Sequence, residues 1–204
     1  MSKIKICGLT RQEDIEAVNE FLPDYIGFVF AESRRQVKEK QAEQLKQLLS
    51  PRIKAVGVFV NENPQKIAEL CNKGIIDLIQ LHGDEDGTYI HRLRAMTKKE
   101  IIRAVRVKSA SDITQAYDSD ADYLLFDTFH REQYGGSGMT FDWSLLANPA
   151  RHYFLAGGLN EDNILEAVRA YQPFAVDVSS GAETDGIKDP NKIRNIIAKV
   201  RSVE

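Results

Sequence analysis

The sequence predicts one α/β domain, a (β/α)8 or TIM barrel occupying residues 1–204, on three observations. Short apolar runs recur at intervals of roughly 25 residues, the length of one βα unit, with amphipathic segments between them. No composition break or low-complexity linker divides the chain. The first and last runs, IKIC and AVDVSS, read as interior strands, whereas an open sheet would show shortened or charged edges, so closure is favoured.

The eight expected strands are Lys3 to Cys7, Tyr25 to Phe30, Lys54 to Val60, Leu78 to His82, Ile101 to Val107, Tyr123 to Asp127, Tyr153 to Ala156 and Ala175 to Ser179. They are rich in Ile, Val, Leu and Phe, as parallel strands covered by helices should be. Thr10 with Glu13 has capping-box spacing ahead of Ile15, Val18 and Phe21. Lys38 to Leu49 carries Leu45, Leu48 and Leu49 on one stripe and stops before Pro51. Asn63 and Pro64 are an N-cap and a first helical residue leading to Ile67, Leu70 and Cys71, with Gly74 as the stop. Further helices fit Thr88 to Met96, Asp112 to Tyr117, a short one near Trp143 to Ala147, Asn163 to Tyr171, and Pro190 to Val200.

The 204 residues carry 27 Lys+Arg against 30 Asp+Glu, a net charge of −3, and 43% are hydrophobic. Interspersed charge of this kind shows no basic stripe, so neither nucleic acid nor a membrane surface is implied as a partner. The longest apolar stretch, Ala55 to Val60, is far short of the ~18 residues of a spanning helix, and Met1 to Thr10 lacks a signal-peptide core. A cytoplasmic location is expected. Cys7 and Cys71 match no disulfide framework or zinc spacing and read as free thiols, Cys71 as a small buried hydrophobe on a helix.

In a barrel of this kind the C-terminal ends of the strands carry function. There the sequence places Cys7 with Gly8, Asn61, Gln80 with His82, Arg106, Asp127, Gly157 with Gly158, and Asp177 with Ser179, Ser180 and Gly181. The small residues of LAGGL and VSSGAE fall in the loops after strands seven and eight, where such barrels cradle phosphate on backbone N–H groups. Along strand one, Ile4 and Ile6 share a face and should meet helices, which turns Lys5 and Cys7 inward. A buried ammonium needs a partner, so Lys5 is expected to pair with Asp177 or Asp127. Cys7 and Asp127 then flank one mouth. A thiolate stabilised by neighbouring positive charge can serve as a base. A carboxyl behind Leu124, Leu125 and Phe126 can stay protonated if they desolvate it, and so serve as an acid. One base and one acid across a ligand are the parts of a proton-transfer isomerase that needs neither metal nor cofactor.

KICGLT at Lys5 to Thr10, SRRQV at Ser33 to Val37, QLHG at Gln80 to Gly83, LLFDT at Leu124 to Thr128, GGSG with FDW between Gly135 and Trp143, LAGGL at Leu155 to Leu159 and DVSSGAE at Asp177 to Glu183 run in order along nearly the whole chain. On these motifs the sequence resembles the phosphoribosylanthranilate isomerases of tryptophan biosynthesis. It departs from them at Ser33-Arg34-Arg35, where the family usually reads SPR, and at Ala182, where it usually has Val. The resemblance implies a cofactor-free Amadori rearrangement of N-(5'-phosphoribosyl)anthranilate to 1-(2-carboxyphenylamino)-1-deoxyribulose 5-phosphate. It makes Asp127 the general acid and Cys7 the general base, and it has Arg35 hold the anthranilate carboxylate. Gln80 and His82 would line the mouth, and Gly157, Gly158, Ser180 and Gly181, beside Asp177 and Ser179, would bind the rest of a small phosphorylated substrate. The GGSG loop would cover the site, as its glycines permit. The assembly is expected to be a monomer or a homodimer.

Overall fold

The computed structural model describes residues 2–128, 142–146 and 149–203. Its eight parallel strands close into a barrel in chain order, β1 pairing with both β2 and β8. They are β1 Lys3–Cys7, β2 Tyr25–Val29, β3 Lys54–Phe59, β4 Leu78–Leu81, β5 Glu100–Val107, β6 Tyr123–Thr128, β7 Tyr153–Leu155 and β8 Ala175–Val178, each within one residue of its expected ends. Closure leaves no edge strand in the barrel to protect.

Around it run α1 Gln12–Phe21, α2 Glu39–Leu48, α3 Pro64–Asn72, α4 Gly87–Arg94, α5 Ala110–Ala116, α6 Ile164–Tyr171 and α7 Pro190–Arg201. Between β6 and β7 the described residues form one 3-10 turn, Trp143–Leu146. Asn63 caps α3 as expected, its Oδ1 accepting from Gln65 N at 2.9 Å behind Pro64. The cap of α1 differs from the expectation. The helix begins one residue later, with Arg11 as N-cap, so the third helical residue is Asp14 and not Glu13. The Asp14 carboxylate is almost fully buried and takes hydrogen bonds from the backbone N–H groups of Thr10 (2.9 Å) and Arg11 (3.0 Å) and from the Arg11 guanidinium. A carboxylate removed from water must find such donors.

Apolar side chains form two layers. Ile4 and Ile6 of β1 belong to the outer core between sheet and helices, with Ile15, Val18, Ile193 and Ile197. Tyr25, Val56, Leu78, Ile102, Leu125, Phe154 and Ala175 fill the barrel interior. At the N-terminal end, aromatic rings plug the barrel, Tyr25 against Phe154 at 5.6 Å between centroids and Tyr123 stacked on Phe174 at 4.9 Å. A recurring device stitches this rim. Asp24, Asp77 and Asp122, each just before an even-numbered strand, accept from the N–H of Ile4, Ala55 and Ile101 on the preceding odd one, at 2.8–3.0 Å. These carboxylates satisfy strand-end donors that have no ladder partner.

Beyond β8 lies a feature absent from the expected element list. A 3-10 turn, Ser180–Ala182, leads into a two-stranded hairpin, β9 Glu183–Thr184 and β10 Ile187–Lys188. Asp185 and Gly186 make the turn with φ of 52° and 79°, the positive pair that a two-residue Asp-Gly hairpin requires. The register sets Glu183 opposite Lys188. Among the described residues no helix is long and apolar enough to cross a membrane.

Candidate active site

The strand pleat turns Lys5 and Cys7 into the barrel, with Cys7 at its C-terminal mouth. Lys5 is wholly buried one layer below, and its Nζ donates to Asp177 Oδ2 at 2.8 Å across the β1–β8 register pair. Of the two partners open to Lys5, the structure selects Asp177, because strand pairing sets the two residues side by side. Burial pulls the Lys5 ammonium down, but Asp177 and Cys7 together outweigh it and hold it above the usual lysine range.

Cys7 is buried at the mouth, and Gly27 of β2 leaves it room: a Cβ there would lie 2.6 Å from the sulfur. Burial pushes the Cys7 thiol up, and Asp177 adds to the shift, while Lys5 and Lys188 pull it down. The net shift is upward. Cations are present, but removal from water wins.

Asp127 lies on β6, its Oδ1 accepting from Thr128 N at 2.7 Å. His82 Nε2 is 3.3 Å from Asp127 Oδ2 but off the hydrogen-bond direction, so the two are adjacent and unbonded. On its other side His82 Nδ1 meets Gln80 Nε2 at 2.8 Å. If the Gln80 amide donates there, the ring proton sits on Nε2, facing Asp127. Three buried polar atoms at this mouth lack a partner among the described residues: Gln80 Oε1, His82 Nε2 and Asp177 Oδ1. Buried groups left open in this way are costly unless something else satisfies them.

The loops after β7 and β8 meet beside these groups. Gly157 and Gly158 have φ of +86° and +67°. A Cβ on Gly157 would lie 2.9 Å from Asp127 Oδ1 and 2.8 Å from Thr128 N, and one on Gly181 would run into the Leu159 carbonyl. Asn163 Nδ2 occupies the Gly158 carbonyl at 3.0 Å, and Ser179 Oγ donates to the Cys7 carbonyl at 3.2 Å, so small residues draw the loops together. Gly157→Ala is therefore expected to displace Asp127 and lower turnover on the order of 10²-fold, the scale of an ångström-sized misplacement. Its kcat beside its thermal midpoint checks this: a large loss of stability at unchanged kcat would contradict it.

Arg35 crosses the mouth next to Gly8, whose Cβ would meet the Arg35 Cδ at 2.5 Å. Its Nε and Nη2 donate to Glu183 Oε1 and Oε2 at 2.6 and 2.9 Å, a bidentate pair that holds the guanidinium firmly charged. Its neighbour Arg34 is far more exposed, 61% against 13%, and reaches only Glu183 Oε2 at 3.2 Å. Burial raises Glu183, but Arg35 and Lys188 outweigh that and hold the carboxylate below its usual range. Lys188 shares this one anion with two arginines; burial and the nearby Arg35 lower it despite Glu183. Glu183 and Lys188 were given no role by the sequence, although Glu183 ends the quoted DVSSGAE stretch and Lys188 lies five residues beyond it.

Other strand-end residues take bracing roles. Asn61 Oδ1 accepts from Asp84 N at 2.9 Å, and Arg106 pairs with Asp84 at 2.5 Å. Cys71 is buried in the outer core, as a hydrophobe would be. No three His, Cys, Asp or Glu side chains among the described residues gather to hold a metal ion. The GGSG segment lies outside the described residues.

Residues 4–199 match the family model described as N-(5'phosphoribosyl)anthranilate (PRA) isomerase. The chain is 50% identical over 203 residues to the N-(5'-phosphoribosyl)anthranilate isomerase of Endomicrobium trichonymphae, covering all of both chains. It is similar to the crystal structure of phosphoribosyl anthranilate isomerase from Thermotoga maritima, with a TM-score of 0.90 and 36% identity over the full length of both. It is similar also to a phosphoribosyl anthranilate isomerase in complex with reduced 1-(o-carboxyphenylamino)-1-deoxyribulose 5-phosphate, with a TM-score of 0.86 and 34% identity over both full lengths. End-to-end coverage and a shared barrel together place one conclusion on the chain: it belongs to the N-(5'-phosphoribosyl)anthranilate isomerase family.

Proposed function

We propose that this chain isomerises N-(5'-phosphoribosyl)anthranilate to 1-(2-carboxyphenylamino)-1-deoxyribulose 5-phosphate, a step of tryptophan biosynthesis, in the cytoplasm. The observation that carries the reading is the set of three buried polar atoms without a partner, on Gln80 of β4, His82 just after it and Asp177 of β8, strands whose C-terminal ends share the mouth with Cys7 and Asp127. A polyhydroxylated sugar is a ligand that would satisfy them.

Asp127, as general acid, protonates the furanose ring oxygen. The C1'–O bond breaks, and the nitrogen lone pair forms the C1'=N bond of a Schiff base. Cys7, as general base, takes the C2' proton; the C–H electrons form C1'=C2', and the C=N pair returns to nitrogen. The resulting enolamine tautomerises to the ketone as C1' gains a proton and the 2'-hydroxyl loses one. Atoms balance and no external oxidant is involved. His82 lies 3.3 Å from Asp127, beside the acid and without a hydrogen bond to it. Asp177 offers Oδ1 to a sugar hydroxyl while Oδ2 stays with Lys5. The 5'-phosphate lies on the loops of Gly157, Gly158, Ser179, Ser180 and Gly181, whose small residues admit it to the backbone N–H groups. Arg35 takes the anthranilate carboxylate with the part of its donor fork that Glu183 does not use.

The test is a turnover assay on phosphoribosylanthranilate generated in situ, followed by loss of its fluorescence. Activity in the intact chain is expected; a folded chain that leaves the fluorescence unchanged would remove the reading. The raised Cys7 thiol also sets a sign. A base needs its deprotonated form, whose share grows about tenfold per pH unit below the pKa. The thiolate share of Cys7 should therefore climb across neutral pH and not level off there, which titration by ultraviolet thiolate absorbance checks.

A further inference from the structure

The β9–β10 hairpin joins two parts of the mouth that the barrel alone does not connect. Its first residue, Glu183, is 8% exposed and receives Arg35 through Nε and Nη2, Arg34 through Nη2 and Lys188 through Nζ. Its last residue, Lys188, is 4% exposed and also donates from Nζ to the Ser179 carbonyl at 3.1 Å. Ser179 in turn binds the Cys7 carbonyl. A chain of contacts thus runs from Arg35 on the loop after β2, through the hairpin, to the backbone of Ser179 just after β8 and of the residue that carries the thiol.

Burying two cations and an anion costs several kcal/mol per ion before pairing recovers it, so so dense a cluster is a poor choice for stability alone. Its geometry suits two other tasks. Arg35 is long and flexible, and a bidentate grip along one edge fixes the plane of its guanidinium, leaving Nη1 not engaged by Glu183. Lys188 Nζ holds the Ser179 carbonyl while Ser179 Oγ holds the Cys7 carbonyl, which brings this cation to the backbone that carries the thiol and lets it favour the thiolate.

We propose that the hairpin is the positioning element of the site: Glu183 sets the orientation of Arg35 toward the substrate carboxylate, and Lys188 lends positive charge to the Cys7 thiolate. This rests on the isomerase reading for the substrate half and is independent of it for the thiol half. The charged groups around Cys7 come from each element beside it: Lys5 on its own strand, Asp177 on β8, Lys188 on β10 and Arg35 after β2, while β2 itself presents Gly27. Lys188 adds to the positive charge of Lys5, opposing Asp177 and burial.

The experiment has two arms. In the first, the Cys7 thiol is titrated by ultraviolet thiolate absorbance, taken as the difference between each chain and the same chain carrying Cys7→Ser, which cancels Cys71 and needs no turnover. Lys188→Met should move the thiol upward by a fraction of a pH unit, below the roughly 1–3 units of an opposite charge in direct contact. Lys188→Arg should leave it near the starting value, and Lys188→Gln replaces Met if the apolar variant fails to fold. An unmoved thiol in a folded neutral variant would overturn this half, as would an equal shift in Lys188→Arg.

In the second arm, Glu183→Gln should raise KM for phosphoribosylanthranilate by about tenfold or more, the cost of losing about 1.4 kcal/mol of alignment, with a smaller change in kcat. Glu183→Asp, which keeps the charge, should recover part of it. A fall in kcat alone at constant KM would overturn the orientation of Arg35. If the unmodified chain turns nothing over, the isomerase reading fails, and the thiol titration still decides the Lys188 half.

Discussion

Asp127→Asn is expected to cut turnover by ~10² to 10⁴, the range that one positioned acid or base contributes. The amide keeps the shape and can still accept from Thr128 N, so the local fold should persist while the transferable proton is gone. Cys7→Ser should be at least as damaging. A hydroxyl is a weaker acid than a thiol by several units, and the site around it already opposes an anion through burial. The decisive comparison is kcat for both variants beside intact far-ultraviolet dichroism. Equal loss in both fits an acid and a base acting in sequence, since blocking either stops the reaction. Turnover that survives Asp127→Asn would move the acid to another group, with His82 at 3.3 Å the first to examine.

The second large effect concerns the floor of the site. Lys5→Met is expected to destabilise the protein by about 3–5 kcal/mol, because it leaves the Asp177 carboxylate in the barrel without its counter-charge. At 204 residues this is about 2–4 °C in thermal midpoint for each kcal/mol. Lys5→Met with Asp177→Leu should recover much of the loss, since an apolar pair of similar bulk removes both charges together. Urea unfolding of the intact chain and these two variants checks this; a double variant no more stable than the single one would show that the ion pair itself was not what the single change disturbed. The pH dependence has a definite sign. Because the Lys5 ammonium is held above its unfolded value, the pair's contribution is complete below the unfolded lysine pKa and is lost only as pH rises through the higher folded one. Glu183, held below its unfolded value, works at the other end: its contribution is present above the unfolded glutamate pKa and fades as pH falls through the folded one.

Much of this arrangement could be read from particular residues. The alternation of Ile4 and Ile6 with Lys5 and Cys7 assigned inside and outside on β1, and the structure keeps that assignment. The eight runs of Val, Ile, Leu and Phe located the strands to within one residue. Local signals such as Asn63-Pro64 also survived, because an N-cap depends on only a few neighbouring residues. Where two local solutions competed, as with Glu13 and Asp14 at the start of α1, the tertiary structure chose, since only Asp14 points into the interior where its carboxylate must be paired. The β9–β10 hairpin escaped notice because its strands are two residues long, too short to show a period, although its Asp185-Gly186 turn is a recognisable signal.

The sequence by itself determined the barrel, the inward aim of Lys5 and Cys7, and the placement of Cys7 and Asp127 at the C-terminal ends of their strands, because these follow from periodicity and from which ends of strands face the same way. Only the tertiary structure decided which carboxylate Lys5 takes, which of Arg34 and Arg35 is gripped inside the mouth, and that Cys7 is pushed up despite its cations. Each of these turns on distances between residues far apart in the chain and on how completely water is removed from them. Spacing along a chain carries neither quantity; pairing of strands and closure of the barrel supply both.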